Sequence, residues 1–323
     1  MIHPGKGDER MNEERSGGRR LLGNGLLLLT AMIWGMAFVA QRQGMDSIGP
    51  ITFCGARMVL SAVAVGLVAL LTGREDDRPA AERERRNRES LLGGLSAGVF
   101  LAAATVMQQM GLVTTTAGKA GFITALYMLL VPVINFVLFR KRNTWLVWLA
   151  VLVGVAGMYL LCVNGDFSLT RGDAMVCVCA VLFSGQILCI DHFAPKADPI
   201  RMSAVQFAVA AVVCCAAAFL LEAPTWDKVA SAAVPILYCG ILSGAVGYTL
   251  QIVGQRDVNP TIASLLMCLE SVFAVLTGVI LLGERMTGRE AAGCVLMFTA
   301  VILAQLSTAM REKHAQKAEA EAV

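Results

Sequence analysis

Residues 261–282 read TIASLLMCLESVFAVLTGVILL, and residues 118–139 read GKAGFITALYMLLVPVINFVLF. Both runs are almost wholly apolar, and each is long enough to cross a bilayer, whose hydrocarbon core of about 30 Å needs roughly 20 apolar residues at 1.5 Å each. The first carries a single carboxylate, Glu270, near its middle; the second carries Tyr127 at the equivalent place. Working outward, runs of the same kind occupy 21–41, 50–72, 90–113, 145–163, 172–191, 201–221, 230–253 and 289–308. The fold class that follows is an all-α membrane protein with ten transmembrane helices. Composition agrees, with 56% hydrophobic and 16% charged residues and a mean hydropathy of +0.65, against about 25% charged in a soluble domain. Ten spans and short loops use the 323 residues and leave no room for a separate soluble domain.

The two opening runs belong to a longer internal repeat. Sliding the chain by 143 residues brings Gln108 onto Gln251, Gly111 onto Gly254, Ala120 onto Ala263 and Arg142 onto Arg285. Sliding the first two spans by 149 brings Gly23 onto Gly172, Asn24 onto Asp173 and Pro50 onto Pro199. The offset changes because the loop Glu222–Val229 is shorter than Gly73–Glu89. The expected organisation is a tail over 1–20, a five-helix repeat over 21–163, a second over 171–308 and a tail over 309–323. Five is odd, so the second copy enters the membrane upside down, giving two inverted-topology repeats. Such pairs are common in secondary transporters, with the substrate near midplane at the repeat interface.

Charge reports orientation more than partners. With both termini cytoplasmic, twenty of the 27 basic residues fall on the inner segments and six on the outer ones, with Arg57 inside a span; this is the positive-inside bias. The stretch Arg74–Glu89 mixes both signs and reads as a solvated cytoplasmic loop, or as a contact for membrane lipid. No aromatics interleave with basic residues, which argues against nucleic acid. The polar residues before Leu21 are not followed by a cleavage pattern, so the first span is expected to stay.

The ten cysteines all sit in or at the ends of apolar runs, where they act as small hydrophobes. His3, His192 and His314 lie outside the spans, so neither a metal nor another cofactor is expected. A phosphate-binding G-x-x-x-x-G-K-[ST] loop is absent from the sequence. Gly93, Gly94, Gly98, Gly240 and Gly244 give small faces for close helix packing.

Polar groups inside the spans are the candidate site. Glu270 lies about 13 Å into its span at 1.5 Å per residue. A charge at that depth is expensive, so an ionisable residue there is a functional candidate. It either carries a proton through a transport cycle or ties helices together as a neutral acid. Arg57 attracts a substrate carboxylate, pairs with Glu270, or snorkels to the interface. Tyr248 and Gln251 are three residues apart and share a helix face. Tyr127 faces Glu270 across the internal symmetry. Gln186, Gln206 and Asn135 line a cavity or bond between helices, and Trp34 faces a cavity or lipid. Lys119 marks the outer interface, Glu284 and Arg285 a turn, and Asp191 with His192 a solvated helix end or a gate. An enzyme would need convergent groups at one membrane face, and only Asp191-His192 comes close, so no catalytic residues are expected.

Several stretches resemble the paired domains of EamA-type transporters of the drug/metabolite transporter superfamily. They are Gly118–Tyr127 with Val131-Pro132, Ala263–Ala274, and Leu281–Arg285, joined by Ile33-Trp34-Gly35, Ala56-Arg57 and Gly172-Asp173. Two positions depart from that pattern: Leu269-Glu270-Ser271 stands where the family has Leu-Glu-Pro, and Arg140-Lys141 replaces a Gly-Glu turn. The first bears on helix flexibility beside Glu270. The resemblance implies a central cavity that moves small metabolites, often outward. The resulting expectation is a secondary transporter of small metabolites, an exporter of amino acids or related compounds working by alternating access, with the proton as coupling ion. A bacterial cytoplasmic membrane is the expected location. The alternative is a non-transporting scaffold or sensor on the same fold.

Overall fold

The computed structural model describes residues 6–72, 78–115, 117–140, 143–162, 170–282 and 286–321, and every regular element among them is helical. The first repeat comprises α1 (Lys6–Met45), α2 (Pro50–Leu71), α3 (Ala80–Leu112), α4 (Ala117–Ala125), α5 (Tyr127–Phe139) and α6 (Trp145–Cys162). The second comprises α7 (Arg171–Phe193), α8 (Pro199–Leu221), α9 (Trp226–Ser231), α10 (Ala233–Leu237), a π-helical stretch Tyr238–Tyr248, α11 (Thr249–Gln255), α12 (Pro260–Met267), α13 (Glu270–Leu282) and α14 (Gly288–Glu321). Nine stretches among the described residues are long and apolar enough to span a membrane, and Trp145–Leu161 is a shorter tenth. A run of that length falls a few ångströms short of the hydrocarbon core, a mismatch that local thinning of the bilayer absorbs.

Three of the ten expected spans are not continuous helices. The fourth breaks at Leu126, between α4 and α5, and the ninth breaks at Cys268-Leu269, between α12 and α13. The eighth is divided into α9, α10, the π-helical stretch and α11. Apolar content reports burial and is blind to the hydrogen-bond ladder, so these breaks leave no trace in it. At Leu126 the ladder tightens: its N–H donates to Ile123 O at 3.2 Å, and its carbonyl accepts from Leu129 at 2.9 Å and Leu130 at 3.0 Å. Non-helical backbone at membrane depth is tolerated where it is buried in protein or lines a cavity. The two breaks are repeat equivalents, and they leave Tyr127 and Glu270 as the first residues of α5 and α13.

Helix ends also differ from the expected spans. Helix α1 begins in the expected tail at Lys6, α3 begins at Ala80 inside the expected solvated loop, and α14 runs on to Glu321. Glu, Arg, Lys and Ala dominate these extensions, and all are good helix formers in water.

The packing follows a two-fold relation. Helix α2 packs on α8 and α6 on α14, each against its own repeat equivalent, while α3 packs on α7 as α10, the π-helical stretch and α11 pack on α1. Glycines make the crossings. A Cβ on Gly23 would lie 2.8 Å from Gly254 O, and one on Gly254 3.0 Å from Gly23 O. The equivalent pair is equally tight, with Gly172 2.6 Å from Gly111 O and Gly111 2.9 Å from Gly172 O. Without a hydrophobic force between helices in lipid, such close backbone packing is what holds them. The two repeats are also tied by side chains. Glu222, at the end of α8, accepts from Ile51 N at 3.0 Å, Thr52 N at 2.8 Å and Thr52 Oγ1 at 2.6 Å, placing an anion at the positive end of α2. At the other membrane face Asp198 caps α8 and pairs with Arg86 at 3.1 Å.

Candidate functional site

The breaks and the π-helical stretch surround one cavity at the repeat interface. Trp34, Arg57, Tyr127, Gln186, Tyr248, Gln251 and Glu270 all line it, so the structure brings the seven sequence candidates together. Its free space is about 50 Å³, room for roughly three or four waters. That space is too small for a metabolite, so the walls would need to part to admit one.

Each lining group has a local reason for its position. Gly35 lets α1 cross directly over the ninth-span break, since a Cβ there would lie 2.5 Å from Glu270 O. That crossing carries Trp34 to the cavity wall, where its indole N–H donates to Ser243 O at 3.0 Å. The indole also lies against Tyr248, with ring centroids 4.7 Å apart, so it faces the cavity and not lipid. Tyr248 leans in turn on Phe207 at 5.8 Å. Ser243, Gly244 and Tyr248 reach the cavity from the π-helical stretch, a geometry that recurs at functional sites.

Two ionisable side chains face this space, and among the described residues they do not pair with each other. Arg57 is 6% exposed and does not snorkel. Its guanidinium sits 5.7 Å over the Phe53 ring and donates to Cys54 Sγ at 3.8 Å, while Nε has no partner. Glu270 is 5% exposed, and no ion pair joins it to Arg57 among the described residues. The Tyr127 hydroxyl is buried beside the Cys268 thiol without a well-aligned hydrogen bond. Buried polar groups ordinarily find partners, so these three are poised for a ligand or for water. Among the described residues, no three His, Cys, Asp or Glu side chains converge to hold a metal ion.

Other candidates fall elsewhere. Gln206 is fully buried behind the cavity wall, and Asn135 is buried away from it. His192 is exposed and lies edge-on to Phe193 at 4.8 Å, remote from the cavity lining. The Lys119 side chain, Glu284 and Arg285 lie outside the described residues. Gln41, Gln108, Thr124 and Ser243 line the cavity but were not singled out as site residues. Gln108 could have been found, because it is the repeat equivalent of Gln251; here it donates to Thr124 Oγ1 at 3.2 Å.

Comparison with known proteins places this architecture. The model of the EamA-like transporter family matches residues 21–163 and again 170–306. An uncharacterized transporter of Archaeoglobus fulgidus is 26% identical over 302 residues, covering 90% of this chain and 88% of the relative. A probable terminal-alkyne amino-acid exporter of Streptantibioticus cattleyicolor is 25% identical over 297 residues, covering 90% and 95%. A solved structure, 18% identical, superposes with a TM-score of 0.72 over 90% of this chain and 97% of its own, which shows a shared fold. Two matches of one family domain account for the two five-helix repeats, and the chain belongs to the EamA-like transporter family.

Proposed function

We propose that this protein is a secondary carrier that exports amino acids or related zwitterionic metabolites by alternating access. The observation that carries the reading is the cavity at the repeat interface, which holds Arg57 and the acid Glu270 with no ion pair between them among the described residues. A zwitterion satisfies both at once, its carboxylate on the guanidinium and its ammonium on Glu270. A buried charge left alone is costly, so a ligand with one charge of each sign suits this site better than an anion or a cation. Gln41, Gln108, Gln186 and Gln251 add neutral donors and acceptors around the lining. The amino-acid exporter among the relatives supports the same substrate class.

With both termini in the cytoplasm of a bacterial cell, as the basic residues suggest, the substrate enters from inside and leaves outside. Glu270 supplies the coupling: it takes a proton when the substrate ammonium leaves, so substrate and proton alternate on one acid. The test is metabolite profiling of cells and medium for wild type and Glu270→Gln at matched membrane abundance. Enrichment of an amino-acid-like compound outside with wild type alone is expected. Equal export by both proteins would remove Glu270 from the cycle, and export by neither would favour a scaffold.

A further inference from the structure

On the side of the chain termini two glutamines line the cavity, Gln186 and Gln251, and Gln206 lies behind them. Gln186 on α7 and Gln251 on α11 exchange amide hydrogen bonds, Gln186 Nε2 to Gln251 Oε1 at 3.3 Å and Gln251 Nε2 to Gln186 Oε1 at 3.2 Å. Gln186 Nε2 also donates to Gln206 Oε1 on α8 at 3.3 Å. All three are at most 1% exposed. Each sits within two helical turns of the helix end at the face that carries both termini. Beside them the Ser203 and Thr249 hydroxyls bond at 2.7 Å, and Gln255, the last residue of α11, reaches Ile187 O through its Nε2 at 3.4 Å.

The internal repeat maps Gln186, Gln206 and Gln251 onto Ala37, Arg57 and Gln108, at matching depth from the opposite membrane face. There the three equivalents are not joined to one another, although Gln109 Nε2 reaches Gln41 O at 3.4 Å and Cys54 Sγ reaches Thr105 O at 3.5 Å. Ala37, Arg57 and Gln108 all line the cavity, Arg57 Nε has no partner, and Gln108 is turned to Thr124. Among the described residues, the amide network at one end of the molecule has no counterpart at its symmetry equivalent.

Resting on the carrier reading above, we infer that Gln186, Gln206 and Gln251 form the barrier between the cavity and the face that carries the termini. In the opposite state Arg57 and Gln108 close the other end. An alanine stands where the third amide would be, so that closure runs from the guanidinium to the Gln108 carbonyl. Arg57 thus serves both substrate and gate. A neutral amide latch suits a barrier that must open, because water entering the opened path can solvate every group it releases.

Hydrogen–deuterium exchange of the purified full chain tests this. In Gln186→Leu/Gln251→Leu, exchange over 186–193 and 249–255 should quicken about tenfold, the size expected for two lost interhelical bonds. At the same time exchange over 50–57 and 105–112 should slow, because the other end closes. Faster exchange at the first end without protection at the second means the glutamines only pack helices, and the proposal fails. Arg57→Gln guards against misfolding of the double variant. It should shift protection the other way, and no change at either end overturns the proposal. Efflux by wild type is measured separately, so absent export with a reciprocal exchange response would sink the carrier reading and leave the barrier standing.

Discussion

The two repeats agree where backbones touch and disagree at most positions where chemistry is done. Gly23 and Gly172 are equivalent, as are Gly111 and Gly254, and the four make the same two crossings at opposite faces. Yet Glu270 stands opposite Tyr127, Arg57 opposite Gln206, and Gln186 opposite Ala37. Close helix crossing demands a small residue in both copies, because either one with a side chain would push the backbones apart. A site that holds an asymmetric molecule makes no such demand. Divergence between equivalent positions therefore marks most of the chemistry, with the cavity-lining pair Gln108 and Gln251 as the exception, and identity among the glycines marks the scaffold.

The sharpest way to break this comparison is at Glu270. Glu270→Gln keeps size and shape and should drop export to background, whereas Tyr127→Phe at the equivalent position should leave most export intact. Comparable losses in both would mean that the acid is no more special than its partner. Next, Arg57→Gln gives the first repeat the residue of the second. It removes a charge-assisted hydrogen bond of about 1.5–3 kcal/mol, so the apparent KM for efflux should rise roughly tenfold or more, read from concentration-dependent transport in vesicles.

The scaffold half of the comparison predicts matched effects. Gly23→Val and Gly172→Val should each cost about 1–3 kcal/mol by overpacking, and thermal unfolding in detergent should show similar losses for the two. A large difference would mean that the crossings are not equivalent. The tie between α8 and α2 has no copy of the same kind, since Gly73 stands where Glu222 would. Glu222→Ala should lower stability by about 1 kcal/mol, the typical worth of a helix cap, with transport rates held. The smallest expected effect is the stability of Tyr127→Phe, which removes a hydroxyl with no well-aligned partner and should move unfolding by less than about 0.5 kcal/mol.

Much of the site was legible because membranes penalise polar groups so heavily. Glu270, Arg57, Gln186 and Gln251 stood out against apolar neighbours, and all four line the cavity. The reading faltered where lipid imposes no such contrast. Gln41 lies near a helix end, where amides are common. Ser243 works from a π-helical stretch that composition cannot announce. The breaks at Leu126 and Cys268-Leu269 lie in runs as apolar as any intact helix.

Sequence alone determined the number of apolar runs, the duplication and the inverted relation of the halves, because a bilayer fixes span length and an odd span count fixes orientation. Tertiary structure decided which amides bond each other and which face open space. It also placed Glu270 and Tyr127 at the starts of half-helices. Those features depend on the rotation of each helix about its own axis and on where its hydrogen-bond ladder is interrupted. Both are set by contacts between helices far apart in the chain, and no local run of residues encodes them.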